Sequence, residues 1–140
     1  YMKLSKNFTL SELTYSSTAN ANKVNNTPDR WELDNLKKLC NEVLQPIRDK
    51  WDDSIFINSG FRNPIVNRLV KGSTSSQHLK GEAADITVGS KSGNKKLFDM
   101  ILQMIENEEI TVGQLIDEKD YSWIHISLPY KRVNQILHLK

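Results

Sequence analysis

With a single cysteine, Cys40, these 140 residues cannot close a disulfide within the chain, so packed side chains have to hold the fold. Cys40 falls on the apolar stripe of an expected helix, where a free cysteine acts as a small buried hydrophobe and not as a reactive thiol. Long apolar runs are missing too. Nothing approaches the roughly 20 apolar residues of a membrane helix, so no membrane partner is expected. The opening residues Met2-Lys3-Leu4-Ser5-Lys6 lack the apolar centre of an export signal. The expectation is a protein made in the cytoplasm without an export signal of its own. An excess of either sign of charge is also missing. The formal net charge is +2, and no Lys/Arg cluster with interleaved aromatics is present, so nucleic acid is not an expected partner. Hydrophobic residues make up 38% and charged residues 26%, the balance of a globular chain and not a disordered one. The length and the lack of any repeat or linker imply one domain over residues 1–140, with a monomer as the default.

The patterning gives a mixed chain. Thr9 and Glu12 have the spacing of a capping box at the start of a short helix over 7–14. Residues 15–27 are small and polar and read as a loop. Thr27-Pro28 suits the opening of the longest helix. Its core stripe runs through Trp31, Leu36, Leu39, Cys40, Val43, Leu44, Ile47 and Trp51. Pro46 inside that pattern predicts a kink or break near Val43–Gln45. Strands are expected at 54–58, 82–88, 111–118, 123–128 and 133–139, with a tight turn at 119–122. A short helix is expected over 63–70, a flexible loop over 71–76, a loop over 90–94 and a helix over 95–108. Helices flanking a mostly antiparallel sheet make the class α+β.

The chain has three histidines. His78 stands seven residues before Asp85 in Ser76-Gln77-His78-Leu79-Lys80-Gly81-Glu82-Ala83-Ala84-Asp85. Alternation along the strand puts Asp85 on the face of Ala83, a small neighbour that leaves room for a metal and a substrate. Gly81, where loop becomes strand, permits a positive φ or a close backbone approach. In Trp123-Ile124-His125-Ile126-Ser127-Leu128 the isoleucines face the core, so His125 faces the cleft. His78, Asp85 and His125 would thus make a two-histidine, one-carboxylate site with an open position. That set suits hydrolytic zinc and can also hold non-haem iron; zinc is the expectation and iron the alternative. His138 has apolar neighbours and no motif around it, and reads as a surface histidine on a terminal strand.

Three blocks together resemble the zinc D-Ala-D-Ala peptidase family, M15, and especially its small domains in bacterial and phage cell-wall hydrolases. They are Ser59-Gly60-Phe61-Arg62 with Asn67-Arg68, then Ser76 through Asp85, then Trp123-Ile124-His125-Ile126-Ser127. The segments 4–13 and 26–48 add to the likeness. The resemblance implies a Hedgehog/DD-peptidase-like fold, one Zn²⁺ held by His78, Asp85 and His125, and peptidoglycan peptides as substrate. It implies that Arg62 holds or polarises the substrate and that Ser76 lies near its pocket. It also implies a carboxylate general base, but several relatives place that acid three positions before the last histidine. Here that position is Ser122. Asp117, Glu118 and Asp120 are the nearby candidates, and the likeness of Gln114–Glu118 to the closest subgroup points to Glu118. A binding module that keeps the fold without catalysis is the alternative function.

Overall fold

A computed structural model describes residues 2–140. The elements in order are α1 (Leu10–Thr14), α2 (Ser17–Ala21), α3 (Arg30–Leu39), α4 (Gln45–Trp51), β1 (Phe56–Ser59), α5 (Pro64–Leu69), β2 (Ala83–Thr87), α6 (Lys91–Glu106), β3 (Gln114–Glu118), β4 (Trp123–Ser127) and β5 (Gln135–Leu139). A π-helical stretch, Cys40–Leu44, joins α3 to α4, and a 3₁₀ turn, Gln77–Lys80, precedes β2. No helix among the described residues is long and apolar enough to cross a membrane.

The helix starts follow local capping, in places differently from expectation. Thr9 and Glu12 form the anticipated capping box on α1. Ser16 caps α2 by accepting from the Ala19 N–H, and Ala19 is buried. Small polar composition predicts a loop over 15–27; one serine cap and one buried alanine are enough for a single turn and more of helix. The long helix begins later than Thr27-Pro28 suggests. Asp29 is the cap, with Glu32 closing the box, and Trp31 consequently lies outside the core, 56% exposed. Pro46 does not break the helix. Pro lacks the N–H and crowds the carbonyl four residues back; the wider π turn before it, with the Gln45 N–H reaching the Cys40 carbonyl, relieves that conflict. Ser90 caps α6 at Lys91, so the expected loop 90–94 is already the first helical turn.

The five strands lie in the order β1-β2-β4-β3-β5. The contacts β1–β2, β2–β4 and β4–β3 are antiparallel, and only β3–β5 is parallel. This is the expected α+β class. Directly paired residues share a face, so the register sorts every strand residue. Ala84, Ile126, Leu115 and Ile136 form one rung; Ile86, Ile124, Asp117 and His138 form the next. Both rungs face the helices, with Leu36, Val43, Ile47, Phe98 and Ile101 fully buried in the same cluster. Asp85, His125 and Ile116 form the rung between them, on the opposite face.

Candidate metal and active site

The sheet brings the predicted ligands together because their register demands it. Asp85 on β2 pairs directly with His125 on β4, and the His125 Nδ1 lies 3.0 Å from the Asp85 Oδ1. His78 arrives from the 3₁₀ turn. Ser76 caps that turn by accepting from the His78 N–H. Gly81 ends it at φ +74°, where a Cβ would stand 2.5 Å from the Glu32 carbonyl oxygen. Both freedoms expected of this glycine are therefore used. The turn swings the His78 ring inward until it is 2% exposed, with Nε2 3.3 Å from the Asp85 Oδ1. One donor atom from each of His78, Asp85 and His125 falls within 4.8 Å of the others.

The tautomer of His78 follows from its other neighbour. Its Nδ1 sits 2.7 Å from the Gly60 carbonyl oxygen. A carbonyl only accepts, so Nδ1 carries the proton and Nε2 of the neutral ring presents a lone pair. That lone pair faces a carboxylate oxygen, an unfavourable contact unless a cation or a second proton lies between them. The same arrangement, with the outer nitrogen bonded to a backbone carbonyl, fixes and orients metal-ligating histidines generally. Burial alone would raise the Asp85 carboxyl; with a second proton on His78, the charge of that ring and the His125 hydrogen bond outweigh it and hold the carboxyl well below its ordinary range. Asp85 is therefore an anion poised between two nitrogen donors.

Around this trio lies a cavity of about 400 Å³ that Arg62, Ser76, Glu118, Trp123, Gln114 and Arg132 help to line. Arg62 follows β1 on a loop whose backbone is pinned, with the Phe61 N–H donating to Leu13 and the Arg62 N–H to the carbonyl of His78. Its Nη2 reaches the Ser76 Oγ at 3.4 Å, while its Nε is buried without a partner. Burial lowers the guanidinium pKa and the nearby Asp85 offsets part of that. Glu118 pairs with Trp123 across the β3–β4 hairpin and shares the face of His125. Burial and the charge of Asp85 raise its carboxyl above the ordinary value. Asp117 points the other way, 4% exposed, with its Oδ2 against the His138 Nδ1. Asp120 is at the exposed hairpin tip and does not line the cavity. His138 is a largely exposed side chain on terminal β5 and takes no part in the trio.

The chain matches the peptidase M15 family over residues 6–127. The chain belongs to this family. No curated protein gives a significant match. The protein is therefore a peptidase of a metal-dependent class, and its His78–Asp85–His125 group is the place where an M15 metal could sit. The donors fit such an ion. Atoms that share a tetrahedral zinc at about 2.0–2.1 Å are roughly 3.3 Å apart, close to the spacings of Asp85 from both rings. Two imidazoles and one carboxylate also leave an open position for substrate.

Gln114, Ile116 and Asn94 are not among the site candidates read from the sequence. Gln114 and Ile116 line the cavity because β3 places them with Glu118 on one face; the adjacent apolar pair Leu115-Ile116 hides that alternation. Asn94 supports the site from behind. It is 1% exposed, accepts from the Val88 N–H, and donates to the carbonyls of Tyr121 and Ser122. It thus ties α6 to the end of β2 and to the hairpin that carries Glu118.

Proposed function

We propose that this M15 peptidase hydrolyses peptidoglycan stem peptides or cross-links at a bond involving D-alanine, as a carboxypeptidase or endopeptidase, with one zinc ion held by His78, Asp85 and His125. The observation that carries the reading is the meeting of this trio with Glu118 and Arg62 in one cavity. A zinc ion there supplies Lewis acidity, polarising a carbonyl and acidifying a coordinated water. Glu118 accepts the proton of the attacking water and passes it to the leaving amine, which turns a poor leaving group into a neutral one. A carboxyl raised by burial is a stronger base than an ordinary glutamate. Arg62, permanently charged, stabilises the negative charge that develops on the carbonyl oxygen. Ser76 holds Arg62 in place and keeps the His78 turn capped. Ile116 and Trp123 wall the cavity and shield the reacting bond from bulk water. The wall substrate places the site of action outside the membrane, with phage-type release as the route.

The test is incubation of purified protein with defined stem peptides and cross-linked wall fragments, with products read by mass spectrometry. The expected result is cleavage next to D-alanine that disappears, together with the metal, in His125→Ala. A wild-type protein that leaves every such fragment intact with zinc bound contradicts the reading.

A further inference from the structure

The metal cavity does not end at its own mouth. A second chamber of about 430 Å³ adjoins it, and the two share Ser75, Ser76, Gln77 and Arg132 as a common wall. The outer chamber adds Lys80, Tyr130 and Lys131, and no carboxylate lines it. Lys80 sits over the Tyr130 ring at 4.9 Å and Lys131 stands 5.9 Å from the same ring. None of Lys80, Lys131 and Arg132 pairs with a carboxylate among the described residues. Three cations thus converge on one chamber with their charge uncompensated. The inner cavity differs, since Asp85 and Glu118 lie in it beside Arg62.

Tyr130, Lys131 and Arg132 lie beyond residue 127, where the family match ends. Their segment is nonetheless fastened at both ends. Gln77 donates to the Leu128 carbonyl. Asn134 exchanges two hydrogen bonds with Val112, and the Gln135 N–H donates to Gly113 as β5 begins. The parallel pairing of β5 with β3 then locks the segment beside the strand that carries Glu118. A fastened segment bearing free cations is a preorganised anion receptor, and the ring of Tyr130 offers an apolar face for the aliphatic stem beside that anion.

We infer that the outer chamber is a specificity subsite for a free carboxylate on the substrate peptide, held by Arg132 with Lys131 and Lys80. The inference rests on the wall-peptide reading above, because a ligand in a chamber continuous with the cavity is an arm of the same molecule. It assigns the enzyme a preference for acidic over amidated stem peptides. Arg132 is the centre of the site, since it alone of the three cations borders both chambers.

The test pairs a stem pentapeptide bearing a free glutamyl carboxylate with the same peptide carrying that group as a carboxamide. Steady-state kinetics give the ratio of kcat/KM values, and backbone NMR shifts report binding independently. Wild type is expected to favour the acidic peptide by about tenfold, as a charge-assisted hydrogen bond to a partly desolvated carboxylate would give. Arg132→Gln removes most of that ratio, through a KM that rises more for the acidic peptide than for the amidated one; Arg132→Lys restores part of it, and Lys131→Gln lowers it by less. A wild-type ratio near one, or equal losses on both peptides in Arg132→Gln, overturns the subsite while leaving the peptidase reading intact. Shifts at residues 130–132 with the acidic peptide only, but no cleavage of either, support the subsite and sink the proposed activity. No shifts and no cleavage sink both.

Discussion

Replacing Glu118 with glutamine removes one charge and the ability to accept a proton while keeping shape and volume. Three features of the structure set the size of the effect. Glu118 shares the cavity with His78, Asp85 and His125; its carboxyl is made more basic by burial and by Asp85; and no other candidate acid reaches the cavity, since Asp117 is on the helix face and Asp120 at the exposed tip. A general base contributes about 10²–10⁴-fold to a rate, or roughly 3–5 kcal/mol of barrier at about 1.4 kcal/mol per tenfold. The Glu118→Gln protein is therefore expected to lose about 10³-fold in kcat on a stem pentapeptide, with KM little changed. Its metal content stays at the wild-type level, because Glu118 is not one of the three ligands proposed. Asp117→Asn is the internal control: it keeps the catalytic rate within about threefold, yet lowers stability by weakening the contact of this buried carboxylate with His138. Activity is read by liquid chromatography of the products, and metal by elemental analysis of the same samples. A Glu118→Gln enzyme within tenfold of wild type, with metal retained, refutes the assignment of the base.

Four further outcomes are expected. Asn94→Ala strips partners from the Val88 N–H and from the Tyr121 and Ser122 carbonyls; at about 1 kcal/mol or more per orphaned group it should cost about 3 kcal/mol in chemical denaturation, and it should lower kcat by loosening the hairpin. Lys119, Asp120 and Tyr121 all hold positive φ, at 48°, 55° and 62°, so Lys119→Gly should stabilise the protein by about 0.5 kcal/mol despite losing its contact with Trp123. Burial, with help from the charge of Glu12, pushes the Cys40 thiol up to about 12; alkylating reagents at neutral pH should label it only on unfolding, and the stability owed to its neutral form, full below the ordinary value of 9.0, is lost as pH rises towards 12. In metal-free protein the Asp85 carboxyl is depressed, so its contribution is present above the ordinary carboxylate value of 3.8 and lost as pH falls below it; acid denaturation followed by circular dichroism should show that loss, and Asp85→Asn should not.

How much of this was legible in the residues varies by element. The trio could be read because two strands with strict alternation, Ala83–Thr87 and Trp123–Ser127, fixed which face each side chain took. The β3 strand resisted the same treatment. Leu115 and Ile116 are both apolar, yet one enters the core and the other floors the cavity, so pattern alone left Asp117 and Glu118 open. Pairing with β4 decides it, and pairing is a long-range fact. Helix α2 and the early start of α6 escaped because each depends on a single serine cap in a polar stretch. Pro46 is plain in the sequence, but whether a helix breaks or widens there depends on the packing that Cys40, Val43 and Leu44 gain by continuing. The role of Asn94 is tertiary throughout: its partners Tyr121 and Ser122 lie on a hairpin far along the chain.

The measurement that bears most directly on the whole account is anomalous diffraction at the zinc edge from crystals of the zinc-loaded protein. The account predicts one peak, coordinated by the Nε2 of His78, the Oδ1 of Asp85 and the Nδ1 of His125, with the Glu118 carboxylate within hydrogen-bond reach of the open position. A protein that takes up no zinc, or a peak held by other residues, contradicts it.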